Sequence, residues 1–206
     1  MVTRDTTSEG EAPGTRARLV AAMADALQRR GLHGIGLTEL LAQAQAPKGV
    51  LYHHFPGGKT ELAVAAINST VAQLSAGLDR VIASRADPVA GLRAWLAGAQ
   101  KQLARDGFER GCPLATVALE STAEDTALRQ ALAAGFATLR ERLAAMLAVA
   151  GLPESRARGL ATLIVAAYEG ALMQARVAGS LRPMEDTAAA LLALVQTELA
   201  AHGNAA

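Results

Sequence analysis

Pro47 and the run Pro56-Gly57-Gly58 enclose eight residues, Lys48 to Phe55, in a space that fits two turns of helix and little else. Pro47 opens that helix, at a position where its missing N–H costs nothing. Leu51 and Phe55 lie four apart and share one face, which is the buried one. Lys48 and Tyr52 then fall together on another face, with Gly49 and His53 beside them. A cation, a phenol, an imidazole and a bare backbone do not serve a core helix. They do suit a helix pressed against a polyanion.

Beyond this segment the chain is rich in Ala and Leu and lacks clear alternating Val/Ile/Thr runs, so it reads as helical throughout. Aromatics supply only 3% of residues, which leaves the interior to Leu, Ala and Val. Gly and Pro punctuate the rest. The pattern predicts helices over Thr15–Arg30, over Leu37–Ala44 behind a Gly36 cap, from Pro47 to Phe55, over Lys59–Ser84, and from Asp87-Pro88 towards Arg105. A short segment follows from Cys112-Pro113 to about Thr122, then long helices over Asp125–Ala150, Pro153–Ala178 and Met184–Ala201. Residues 1–14 are polar, lack the apolar stretch of a signal peptide and read as a disordered leader. The division is therefore 1–14 leader, 15–60 three short helices, and 61–206 a larger bundle.

Charge follows the same division. Between Thr15 and Thr60 there are six Lys/Arg against two acids, while from Glu61 onward 13 basic residues face 14 acidic ones. A basic head on a near-neutral body is a modest footprint for nucleic acid, and equally fits an ordinary solvated surface. The single cysteine, Cys112, rules out an intramolecular disulfide. No stretch approaches the ~20 apolar residues that span a bilayer, so the chain reads as soluble and cytoplasmic. The four histidines, His33, His53, His54 and His202, all fall outside the bundle core, where no Ser-His-Asp, paired-carboxylate or metal spacing appears. An enzyme is not expected, nor any cofactor or metal.

Short helix, tight turn, short helix is the helix-turn-helix pattern, whose second helix enters the major groove. Here Lys48 can meet a phosphate or a guanine edge, and Gly49 permits close backbone approach. Val50 can pack on a thymine methyl. Tyr52 and His53 can donate to phosphates, which position the helix. Thr38 is placed for another backbone contact, and Lys59 brings charge to the start of the long helix. Competing readings are weaker. His53 and His54 point about 100° apart and make poor joint metal ligands. Gly58-Lys59-Thr60 resembles the tail of a phosphate-binding loop, but that motif's first glycine falls on His53 and no strand precedes it.

Lys48-Gly49-Val50-Leu51-Tyr52-His53-His54-Phe55 resembles the signature of TetR-type transcriptional regulators, Lys-Gly-x-Leu-Tyr-His-His-Phe. Pro56-Gly57-Gly58-Lys59 and Gly111-Cys112-Pro113-Leu114 resemble the LmrA/YxaF-like branch. The resemblance is strong over Thr15–Leu62 and beyond that rests on helix number and lengths. It implies an all-α homodimer, with an N-terminal three-helix helix-turn-helix domain for DNA and a C-terminal helical bundle for ligand binding and dimerisation. The family usually has Gly-Val in the turn before the recognition helix. Here Gln45 and Ala46 stand there, and Gln tolerates positive φ less well than Gly, so a strained or altered turn is expected.

In the last two helices Leu160, Leu163, Ile164, Ala167, Leu191, Leu192, Val195 and Leu199 recur at helical spacing, with Gly159, Ala166, Gly170, Ala171 and Ala175 between them. By resemblance these helices pair with a second subunit; the same stripes also suit the chain's own core. Trp95, Phe108, Phe136, Tyr168 and Met173, with Cys112, are the candidate lining of a pocket for a small hydrophobic effector, against the plainer reading that each is core. Glu120 and Glu169 read as solvated or paired, or as partners for a cationic ligand. At a helix start the Cys112 thiol is expected to have a lowered pKa, which permits a redox switch; a small buried residue is the other reading. The function expected is a repressor released from a palindromic double-stranded DNA operator by its effector. A ligand-gated activator, and a helical carrier that ignores DNA, are the alternatives.

Overall fold

A computed structural model describes residues 14–83 and 87–203. The expected leader, apart from Gly14, lies outside the described residues, as does Ser84 at the expected end of the long helix. Nine helices and no strand occur among the described residues: α1 (Thr15–Arg30), α2 (Leu37–Gln43), α3 (Lys48–His54), α4 (Gly58–Ala83), α5 (Pro88–Arg105), α6 (Pro113–Glu120), α7 (Thr126–Val149), α8 (Glu154–Ala178) and α9 (Arg182–Gly203).

The punctuation acts as expected, with small shifts. Gly36 precedes α2 in an extended conformation, while Pro47 is the cap before α3 rather than its first residue. Asp87 caps α5 by accepting from the Val89 amide at 2.9 Å, with Pro88 in the first turn. The last helix starts at Arg182, because Pro183 is accommodated in its first turn instead of ending the connection.

Between α2 and α3 the chain closes with a Schellman turn. The Ala46 amide donates to the Leu41 carbonyl at 3.0 Å and the Gln45 amide to Ala42 at 3.1 Å. Gln45 takes φ +49°, the left-handed region that favours glycine. The turn therefore keeps an ordinary shape and carries its strain in one residue.

Apolar spacing on α4 produces one continuous buried stripe through Leu62, Ala66, Ile67, Val71 and Leu78, which packs on α1 at one end and on α5 and α7 along its length. Two apolar clusters result. The first joins α1, α2 and α3 to the front of α4, α6 and the rear of α8, with Leu19, Met23, Leu51, Phe55, Leu114 and Ala175 at its centre. The second fills the space between α5, α7, the front of α8 and α9. A boundary at Thr60/Glu61 thus falls inside α4, and the first cluster continues across it.

The α8 pattern divides by face. Leu160, Ala161, Ile164, Ala171 and Ala175 are buried in the chain's own core. Gly159, Leu163, Ala166, Met173 and Val177 face outward, with Gly170 half-buried among them.

Candidate nucleic-acid interface and cavity

Helix α3 is anchored from beneath by Leu51 and by Phe55, which caps it. Its other face is open: Lys48, Gly49, Tyr52 and His53 are exposed and Val50 is half-buried. A Cβ at Gly49 would meet nothing within the chain, so the bare backbone there opens outward. Tyr52 is 50% exposed and flanks Gly58, the first residue of α4. Thr38 is exposed in the first turn of α2. Arg16 of α1 lies 5.1 Å over the Phe55 ring, adding a cation beside the same helix.

Lys59 departs from a purely outward role. Its ammonium donates to the Ile35 carbonyl at 2.6 Å, in the α1–α2 connection. Burial lowers its pKa, with Glu120 pulling the other way. One of its donors is thus spent on holding the α1–α2 connection.

Behind this unit, α4, α5, α7, α8 and the α5–α6 loop enclose a cavity of about 560 Å³. Of the residues expected to line it, Trp95, Cys112 and Tyr168 do, and the two rings pack with centroids 4.9 Å apart. Three others do not. Phe108 sits in the α5–α6 loop at φ +63°, half-buried against the first cluster. Phe136 is spent in packing between both clusters. Met173 is 58% exposed, because five residues beyond Tyr168 lie about 140° around the helix.

Glu169 belongs to this lining and is half-buried rather than freely solvated. Burial raises its pKa to about 7, even though a hydrogen bond from the Cys112 thiol works against the shift. The second oxygen, Oε2, is buried without a partner. Cys112 reverses its expectation: burial pushes the thiol well above its ordinary value, Glu169 adds to this, and the amides of Ala115 and Leu114 at the start of α6 do not outweigh them. Burial also raises the Tyr168 phenol, with Glu169 and Cys112 contributing.

The cavity wall is tied to the open helices through the end of α1. Gly111 N–H donates to the Gln28 carbonyl at 2.9 Å, and the Arg176 guanidinium to the Arg29 carbonyl at 2.8 Å. These are carbonyls a helix terminus leaves without intrahelical partners. Glu120 accepts from the Leu32 amide at 2.5 Å. Arg110, on the cavity wall, pairs with Asp25 of α1. The same carboxylate accepts from Gln43 of α2 at 3.0 Å and pairs with Arg29 at 3.3 Å. Burial alone would raise the Asp25 pKa, but Gln43, Arg29 and Arg110 outweigh it and the carboxyl lies below its ordinary value. No motif marks Glu120, Arg110 or Arg176 in the sequence, since each meets its partner across a large sequence separation.

An open-faced helix-turn-helix braced on a bundle that encloses a cavity is the design of a DNA-binding regulator. Two family models match the chain: the bacterial regulatory proteins of the tetR family over residues 19–66, and the C-terminal domain of LmrA/YxaF-like transcriptional regulators over residues 88–190. The HTH-type transcriptional regulator LmrA of Bacillus subtilis is 28% identical over 82% of this chain and 90% of its own length. An uncharacterized HTH-type transcriptional regulator of Mycobacterium tuberculosis is 31% identical over 84% of this chain and 89% of its own. The crystal structure of a regulatory protein TetR from Rhodobacter sphaeroides superposes with a TM-score of 0.77 at 27% identity, covering 86% of this chain and 97% of that one. The chain belongs to the TetR family of DNA-binding transcriptional regulators, in its LmrA/YxaF-like branch. It is a regulator and not an enzyme. No helix among the described residues is long and apolar enough to cross a membrane.

Proposed function

We propose that the chain is a homodimeric cytoplasmic repressor that leaves a near-palindromic operator when a small, largely apolar effector enters the cavity between α4, α5, α7 and α8. The observation that carries this reading is the exposed polar face of α3 above its Leu51–Phe55 anchor. Thr38, Tyr52 and His53 position the helix on phosphates, and Lys59 adds a phosphate contact from donors that Ile35 leaves unused. Lys48 and Val50 read base edges, with Gly49 allowing close approach. Two-fold symmetry sets the recognition helices roughly 34 Å apart, one turn of DNA, or a multiple of that.

Dimerisation through α8 and α9 is supported by the outward stripe Gly159, Leu163, Ala166, Gly170, Met173 and Val177, spaced three and four apart. On α9 the exposed Ala189, Ala193 and Ala200 continue it. Small residues let two helices approach closely, while Leu163, Met173 and Val177 supply apolar area, being 45%, 58% and 86% exposed in the single chain.

Release follows from the bonds at the end of α1. Arg110 and Gly111 form part of the cavity wall and also hold α1, so an effector that favours a different arrangement of the 106–112 loop moves α1 and, through Asp25 and Gln43, α2. The effector must bind that second arrangement more tightly than the operator-competent one.

The test is selection of bound duplexes from random DNA, followed by mobility-shift titrations over a salt series. Tyr52→Ala should weaken operator binding roughly tenfold, and to a similar extent on all operator variants. Lys48→Ala or Val50→Ala should change base preference instead. Unchanged operator affinity in Tyr52→Ala sinks the assignment of this face.

A further inference from the structure

From the cavity's side chains we infer that the effector is an organic cation with an aromatic or apolar body, its charge meeting the Glu169 carboxylate and its body lying against Trp95 and Tyr168. The inference rests on the reading of this cavity as the effector site.

Glu169 projects from the middle of α8 into the cavity lining, where one partner is the Cys112 thiol and Oε2 has none. A carboxylate oxygen out of contact with water, as Oε2 is, needs a compensating cation or hydrogen bond. The cations of the chain that line the cavity have carboxylate or carbonyl partners of their own. Arg110 pairs with Asp25 and Asp106 through its terminal nitrogens, its buried Nε having no partner, and Arg80 donates to the Ala76 carbonyl at the exposed rim. The ionisable groups that do face Glu169, Cys112 and Tyr168, can only become negative. Burial accordingly keeps the carboxyl protonated up to about pH 7 in the empty protein. An arriving cation supplies the missing countercharge, and the carboxyl proton passes to solvent.

The surroundings suit the rest of such a molecule. The indole and phenol rings both line the cavity and pack on each other 4.9 Å apart, and electron-rich aromatic rings attract organic cations. Above about pH 7 an anionic effector would meet the ionised Glu169 as a like charge. A neutral apolar one would leave Oε2 unpartnered.

Phenyltrimethylammonium and tert-butylbenzene are isosteres that differ in charge, and the experiment titrates the full-length protein with each. Isothermal calorimetry gives the affinities, and the fluorescence of Trp95, the chain's single tryptophan, reports binding at this cavity. The ammonium should bind at least about tenfold more tightly than its neutral isostere at pH 8, with a smaller preference at pH 6. Glu169→Gln, which keeps shape and hydrogen-bonding capacity, should abolish the preference while leaving tert-butylbenzene affinity and the helical circular dichroism in place. Equal binding of the two probes, or a preference that survives Glu169→Gln, overturns the inference. Operator mobility shifts with each probe test the effector-site reading separately. Cation-selective binding without operator release would overturn that reading and leave the cation site standing. Operator release by the neutral probe with equal affinity would do the reverse.

Discussion

Gly31 is where α1 hands over to the helix-turn-helix, and replacing it with Ala tests the bracing of the two units directly. Its backbone lies at φ +76° and ψ −175°, a region open essentially to glycine alone, and an alanine held there costs roughly 1–3 kcal/mol. A Cβ would also sit 2.2 Å from Oε1 of Glu120, with the carboxyl carbon at 2.6 Å. The carboxylate must then withdraw, which breaks its bond to the Leu32 amide, a charge-assisted contact worth about 1.5–3 kcal/mol. Together these predict a loss of roughly 2.5–6 kcal/mol, a large share of the 5–15 kcal/mol of a typical domain. The melting temperature should fall by roughly 5–24 °C. Glu120→Ala alone should cost about 1.5–3 kcal/mol, and in that background Gly31→Ala should cost only its backbone share, about 1–3 kcal/mol. Urea unfolding of all four proteins at one fixed concentration, followed by circular dichroism, closes the cycle. If Gly31→Ala costs the same with and without the Glu120 carboxylate, the contact does not brace the joint and the reasoning fails.

Three further outcomes follow from other features. Gln45→Gly should relieve a left-handed residue worth about 1–2 kcal/mol and lose about 0.4–1 kcal/mol through the freer unfolded chain. The net is a melting temperature roughly 1–4 °C higher, and a decrease would mean Gln45 makes a compensating contact. Gly170 stands mid-helix at a cost of about 1 kcal/mol, yet a Cβ there meets nothing within the chain. Gly170→Leu should keep or raise helicity while weakening the dimer at least about tenfold in sedimentation equilibrium; an unchanged dimer constant would place the seam elsewhere. Glu169 has a folded pKa raised from 4.5 to about 7, so its contribution to stability is fully present below about pH 4.5 and lost as pH rises through about 7. Unfolding free energy should therefore fall across that window by about 3 kcal/mol relative to Glu169→Gln, and parallel pH profiles for the two proteins would refute the burial of this group.

Helix boundaries were legible because Gly, Pro and Asp act locally. Gly36, Asp87-Pro88 and Cys112-Pro113 set the dihedrals or the cap whatever surrounds them, and the apolar spacing on α4 has only one helical face to occupy. The outer face of α3 was legible for the same reason, since a seven-residue helix with Leu51 buried can turn only one way. The strain at Gln45 was legible only through the resemblance, which puts glycine at that position of the turn.

Burial of single groups was not local, and there the tertiary structure decided. Tyr168 and Met173 both suit an apolar pocket, but the rotation of α8 turns one inward and the other outward. A helix start alone lowers a thiol's pKa; removal of Cys112 from water beside Glu169 reverses the sign. Glu169 and Glu120 look alike as helix carboxylates. One ends in a cavity with Oε2 unpartnered, and the other reaches 88 residues back to the Leu32 amide, because packing sets which groups lose water and which partners meet.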